Sequence, residues 1–152
     1  MTKQPLIDFI QLSIPNINVS PEVVTTISER FEEQDLMKDE FLLKAGKISA
    51  YYFLAEGFVR AYTYDTEGNE ITTYFYSKDH VIFEAASFFH HTLSTEYMQA
   101  VTPCKVFEIS FETLNTLFNQ FPELREFARA MLERKFVAYK QRTLSMINKS
   151  AE

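Results

Sequence analysis

Cys104 is the only cysteine in the 152 residues, and one thiol can make neither an internal disulfide nor an all-cysteine metal or iron–sulfur site within a single chain. A reducing, cytoplasmic setting is therefore expected. With Lys105 as its only adjoining cation, Cys104 reads as a small buried hydrophobe rather than a sensor thiol. No run of about 18 apolar residues occurs, and the amino-terminal stretch has Asp8 inside its short apolar pattern and no small-residue cleavage site. Neither a membrane span nor a secretory leader is expected, and membrane is not among the expected partners. The 15 Lys and Arg residues are scattered rather than clustered, and the formal charge is −6. Such a chain is not expected to grip duplex DNA by itself. No Ser-His-Asp or paired-carboxylate set falls at catalytic spacing, so no catalytic residues are assigned and the chain is not expected to be an enzyme. A His-x-His set on strands, which an oxygenase-type roll would need, is also missing. His90-His91 reads as part of an extended segment, where adjacent side chains point to opposite faces, so no shared metal is expected.

What is abundant is apolar and aromatic. Hydrophobic residues make up 46% of the chain, with 15 Phe and 8 Tyr, enough for one packed domain burying roughly two-thirds of its unfolded surface. Leu6, Phe9 and Ile10 at helical spacing predict a short helix ahead of Pro15. Ser20-Pro21-Glu22 is a helix start, with a capping side chain, a proline at the first position and an acid in the first turn. From residue 32 to 109 the pattern shortens to β-like runs: 40–43, 51–54, 58–64, 70–76, 81–82, 97–101 and 104–109. They are separated by turns such as Asp65-Thr66-Glu67-Gly68-Asn69. Eight or so strands with short connections predict an antiparallel barrel or roll. Glu84-Ala85-Ala86-Ser87 predicts one helical turn between strands. In Cys104–Ile109, Phe107 breaks strict polar–apolar alternation, which predicts cover on both faces.

After Ser110 the helical period returns. Ser110 caps a short helix, and Pro122 opens a second one that meets no Gly or Pro to the end of the chain. About 27 residues of helix would span about 40 Å. Its apolar residues cover more than one face, so a second surface must meet it. A homodimer with these helices side by side is expected, through Phe127, Met131 and Ala138.

Four motifs stand in a telling order: Phe41-Leu42-Leu43-Lys44-Ala45-Gly46, then residues 52–60 with Gly57 after Glu56, then the 65–70 hairpin, then Ala100-Val101-Thr102-Pro103-Cys104 leading into 105–110. With the helices around them they resemble the cyclic-nucleotide-binding-domain superfamily, specifically the sensor half of Crp/Fnr-type bacterial transcription regulators. The resemblance implies an α+β fold: an antiparallel β-roll (a double-stranded β-helix, jelly-roll-like) flanked by N-terminal helices and a long C-terminal helix. It divides the chain into a sensor domain, 1–121, and a dimerisation helix, 122–152, and implies that DNA is reached only through a C-terminal winged helix not present in this chain.

The resemblance also implies a cyclic nucleotide, bound by a phosphate cassette in which glycine and glutamate open the short helix and an arginine followed by serine or threonine comes later. Here the corresponding pairs are Phe83-Glu84 and Ser94-Thr95. Glu84 takes the ribose-hydroxyl position and Thr95 the phosphate position, while Phe83 replaces the glycine and Ser94 the arginine. Tyr139 and Lys140 fall where relatives contact the base. Without the paired cation a buried phosphate costs several kcal/mol, so no cyclic-nucleotide cofactor is expected. Three readings follow: a less charged or more apolar effector lined by Phe83, Tyr97 and Tyr139; a stand-alone small-molecule module without DNA contact; or a ligand-free dimerisation scaffold in which Phe83 fills the pocket. Glu84 is read as a ligand contact, as the cap of its helix or as the partner of a neighbouring cation.

Overall fold

The computed structural model describes residues 2–151, so the expected helix and domain bound at residue 152 lies outside the described residues. Two helices come first, α1 (Gln4–Ser13) and α2 (Pro21–Arg30). The Ser20 side chain accepts from the Val23 N–H at 3.3 Å, and Glu22 and Arg30 sit at the ends of α2 that the helix dipole favours. Eight strands follow: β1 (Glu32–Leu36), β2 (Phe41–Leu43), β3 (Tyr51–Glu56), β4 (Val59–Tyr64), β5 (Glu70–Tyr76), β6 (His80–Ile82), β7 (Tyr97–Ala100) and β8 (Cys104–Ile109). A short helix, α3 (Ala85–His90), interrupts them after β6, and α4 (Phe111–Gln120) and α5 (Pro122–Ala151) complete the chain. The α+β roll is thus present with its flanking helices. Among the described residues no helix is long and apolar enough to cross a membrane.

The strands form two four-stranded antiparallel sheets, β1-β8-β3-β6 and β2-β7-β4-β5. Period-two alternation divides the central strands between two cores. Tyr52, Leu54, Cys104 and Val106 face the second sheet, together with Val59, Ala61, Met98 and Ala100. Tyr51, Phe53, Phe107 and Ile109 face the other way, onto α1, α2, α4 and the first turns of α5. Phe107 therefore obeys the alternation; it looks like a break only because both faces of β8 are covered. Phe9 locks the helical layer in place, with its ring 5.1 Å from Phe53 and edge-on to Phe127 at 5.9 Å.

β1 was not among the expected strands. Its sequence, Glu-Glu-Gln-Asp-Leu, is polar except for Leu36, and it exists because five consecutive residues pair with β8. Lys105 on β8 bridges Glu33 and Asp35, at 3.6 Å each.

A second constraint is the β3–β4 turn. Gly57 has φ +99°, and a Cβ built there would fall on the Pro103 carbonyl oxygen and lie 2.6 Å from Cys104 Sγ. The turn is pressed against the β7–β8 connection: the Phe58 N–H donates to Thr102 Oγ1 (3.0 Å), and the Cys104 thiol donates to the Phe58 carbonyl (3.3 Å). Burial pushes the Cys104 thiol pKa up, as expected of a packed hydrophobe. Gly57→Ala is expected to destabilise the domain by about 2–4 kcal/mol, because left-handed strain adds to a backbone clash. A urea midpoint within error of the parent protein would show that the two turns can separate at no cost.

Candidate ligand site between the roll and the long helix

The short helix is anchored by protein groups. Glu84 is its N-cap: Oε2 accepts from the Ser87 N–H at 2.6 Å, while the Glu84 N–H donates to Ser49 Oγ at 3.1 Å. The Ser49 N–H in turn donates to the buried Ser87 hydroxyl at 2.8 Å. The helix ends at His90, and His91 is its left-handed cap at φ +56°. The two histidines therefore sit on a helix end, not on the extended segment expected from the sequence. Among the described residues no group of three or more His, Cys, Asp or Glu could hold a metal ion.

The remaining cassette positions are turned inward or outward rather than toward one centre. Ser94 is buried, with its hydroxyl bonded to the Glu96 N–H (3.0 Å) and carbonyl (2.9 Å), and its backbone tied to Gly46 and Lys47. Thr95 is exposed. On β7, Met98 and Ala100 point into the inter-sheet core, so Tyr97 points out of the roll. There its ring stacks on Tyr62 at 5.2 Å and meets Phe41 and Tyr64 edge-on. The structure does not bring Tyr97 together with Phe83 and Tyr139. Phe83 is buried, stacked on Tyr51 at 5.3 Å and packed against Phe88 at 5.5 Å.

A residue that sequence reasoning passed over completes this region. Lys135 on α5 donates from Nζ to the Phe83 carbonyl at 2.7 Å and lies 3.9 Å from the centre of the Phe83 ring. Burial pushes its pKa down to about 8, against an opposing pull from Glu96 and Glu84. The available signal was its spacing: Lys135 follows Met131 by four residues and precedes Tyr139 by four, on one helix face.

Beside this contact, α5 and the β5–β6 turn enclose a cavity of about 270 Å³ whose walls include Tyr74, Tyr76, His80, Phe83, Lys135 and Tyr139. Tyr139 meets Tyr74 edge-on at 6.2 Å. Lys140 is exposed and does not line the cavity. The helix residues expected at a dimer seam are placed differently. Phe127 and Met131, 4% and 7% exposed, belong to the domain's own core, and Ala138 is a cavity wall. They face inward because the helical layer needs their apolar area to cover the sheet. The outward face carries Leu132, Phe136, Val137, Leu144 and Ile147 instead, with Phe136 69% exposed.

An eight-stranded antiparallel roll closed by a long helix, with a capped short helix between β6 and β7, defines a jelly-roll class of domain, and the comparisons with known proteins make it specific. The cyclic nucleotide-binding domain family matches residues 33–121, and the chain belongs to that family. It is 30% identical over 122 residues to the fumarate and nitrate reduction regulatory protein of Escherichia coli (strain K12), covering 79% of this chain and 48% of that protein. The chain thus spans about half the length of the curated relatives it matches. In fold it is similar to the sensor domain of the transcriptional regulator DNR from Pseudomonas aeruginosa (TM-score 0.67, 22% identity, covering 93% of this chain and 90% of that one). A cyclic nucleotide-binding domain from Methylobacillus flagellatus matches likewise (TM-score 0.77, 16% identity, 98% and 86% covered). The resemblance to Crp/Fnr-type regulators is therefore carried by sequence and fold together.

Lys135 yields a prediction with a definite sign. Its folded pKa, about 8, lies below the ordinary 10.5, so between those values the unfolded chain holds more protons and stability rises with pH. Below about 8 the full cost of the buried charge is present. Lys135→Met is expected to stabilise the domain by about 1–3 kcal/mol at pH 7, with the gain shrinking toward pH 10. Paired melting curves across that range test this; a loss of stability that does not change with pH would refute it.

Proposed function

We propose that this chain is the effector-sensing and dimerising portion of a cytoplasmic Crp/Fnr-like transcription regulator, with a cassette that has lost its grip on a nucleotide phosphate. DNA contact is assigned to a C-terminal winged helix outside this chain. The observation that carries the reading is the division of labour on α5. Its inward face, Phe127, Met131, Lys135 and Ala138, covers the sheet core and closes the cavity. Its outward face repeats Leu132, Phe136, Tyr139 and Thr143 at intervals of four, three and four residues, the spacing of a two-helix seam. Tyr139 belongs to both, so a molecule in the cavity would touch a side chain of the seam. The curated relatives and the DNR sensor domain are regulators, which supports a regulatory rather than enzymatic role.

For the cassette itself, the burial of Phe83 and the self-satisfied hydroxyl of Ser94 favour a nucleotide-free site. This observation also supports the second reading, a dimerisation scaffold in which Phe83 fills the ligand's place.

Sedimentation at micromolar concentration is expected to give a mass near twice 17.8 kDa. Phe136→Glu should weaken the dimer at least about tenfold, since it puts a charge into an apolar seam, while Ala138→Glu alters the cavity rather than the seam. A parent chain that sediments as a monomer would reject the seam. Calorimetry with cyclic AMP and cyclic GMP is expected to show no heat up to about 100 µM, binding weaker than about −5.5 kcal/mol. Low-micromolar binding of cyclic AMP would mean that a cation such as Lys135 replaces the missing arginine.

A further inference from the structure

The helical layer lies on the sheet β1-β8-β3-β6, and the other sheet, β2-β7-β4-β5, has an outer face that belongs to neither core. Val59 and Ala61 on β4 and Met98 and Ala100 on β7 point into the inter-sheet core. By alternation Arg60, Tyr62 and Tyr64 on β4, and Tyr97 and Gln99 on β7, point outward. Phe75 on β5 sits opposite Arg60 and shares its face. Phe58 and Val101 extend that face just beyond the strands, where the Val101 N–H donates to the Phe58 carbonyl at 2.8 Å.

This face is aromatic and open. Tyr62 is closed over by its neighbours, with the Arg60 guanidinium 4.2 Å from its ring centre, but Phe75 is 64% exposed, Phe58 53% and Tyr64 51%. At roughly 200 Å² per aromatic side chain those three alone show water about 350 Å². Scattered apolar residues at a surface are ordinary, whereas a patch of this size marks an interaction site. It amounts to almost half of the roughly 800 Å² that each partner gives to a standard interface, the remainder being polar rim.

Charge decides what covers it. The chain carries −6, so two copies repel except through surfaces free of the excess acid. The outward strand positions hold one cation and one anion, Arg60 and Glu70, joined by hydrogen bonds of 2.9 and 3.0 Å. Arg60 also donates to Gln99 at 3.2 Å. Lys44, 5.1 Å from the Phe41 ring, stands exposed at the β2 border. A face with one central charge of each sign complements its own copy across a two-fold axis, Arg60 against Glu70 in both directions.

We infer that the outer face of this sheet is a self-association surface on which a second copy of the chain docks face to face, with Phe75, Phe58 and Tyr64 as its apolar anchors. It is separate from the seam on α5. Assembly beyond a dimer rests on the seam proposed above, whereas the sheet contact does not.

Sedimentation equilibrium on the full chain from about 2 to 200 µM tests it. The mass is expected to climb past twice 17.8 kDa toward four times that value. Phe75→Ser should weaken this upper step at least about tenfold. Arg60→Glu and Glu70→Arg should each lose the step alone and recover it when mixed in equal amounts, because opposite charges then face each other again. An upper step unmoved by Phe75→Ser, or charge variants that do not restore each other, overturns the inference. A parent chain that is monomeric throughout overturns both surfaces, and that measurement needs no variant to fold. A chain that stops at the dimer separates the two. Dissociation by Phe75→Ser but not by Phe136→Glu supports the sheet face and rejects the seam, and the reverse pattern supports the seam and overturns the sheet face.

Discussion

Tyr51, Phe53 and Phe107 point one way from the central strands while Tyr52, Leu54 and Val106 point the other, so β3 and β8 must be covered twice. One cover is the second sheet. The other has to be helical, and it draws on both ends of the chain: α1 and α2 from the front, α4 and the start of α5 from the back. Phe9, wedged between Phe53 and Phe127, is where the two ends meet. Once Phe127 and Met131 are committed to this layer, the rotation of α5 about its axis is fixed. That rotation puts Lys135 and Ala138 over the roll and leaves Phe136 in water.

A cation beside Phe83 is rooted in the long helix rather than in the roll. Ser94 spends its hydroxyl on the backbone of Glu96, stabilising the approach to β7. The positive charge near Phe83 comes instead from α5. A charge rooted in the roll would hold a ligand within the roll; a charge rooted in the helix makes any bound anion a contact between helix and roll.

Much of the fold could be read from sequence because its signals are local. The Ser20 and Ser110 caps, the proline starts of α2 and α5, and the alternation of the central strands all follow from neighbouring residues. β1 escaped because its reason for existing lies about 70 residues away in β8, and nothing in Glu-Glu-Gln-Asp announces a strand. Phe127 and Met131, expected at a dimer seam, are core residues, because a helix apolar on more than one side does not say which side the domain takes. Phe127 and Met131 were inward, and Leu132 and Phe136 outward. Lys135 was invisible for a related reason: a lysine on a helix rich in charged residues reads as solvated until its neighbours are known. Capping was one of three readings for Glu84, and the Ser87 N–H shows what its carboxylate does.

The polar character of β1 has a further consequence. It lies at the rim of its sheet, where among the described residues one side of its backbone has no partner strand. Such a rim is a template on which another chain can lay down a strand. Glu32, Glu33 and Asp35 make that addition electrostatically unwelcome for a second copy carrying the same acids. The residues that hid this strand from the sequence thus guard the open edge of the sheet against aggregation.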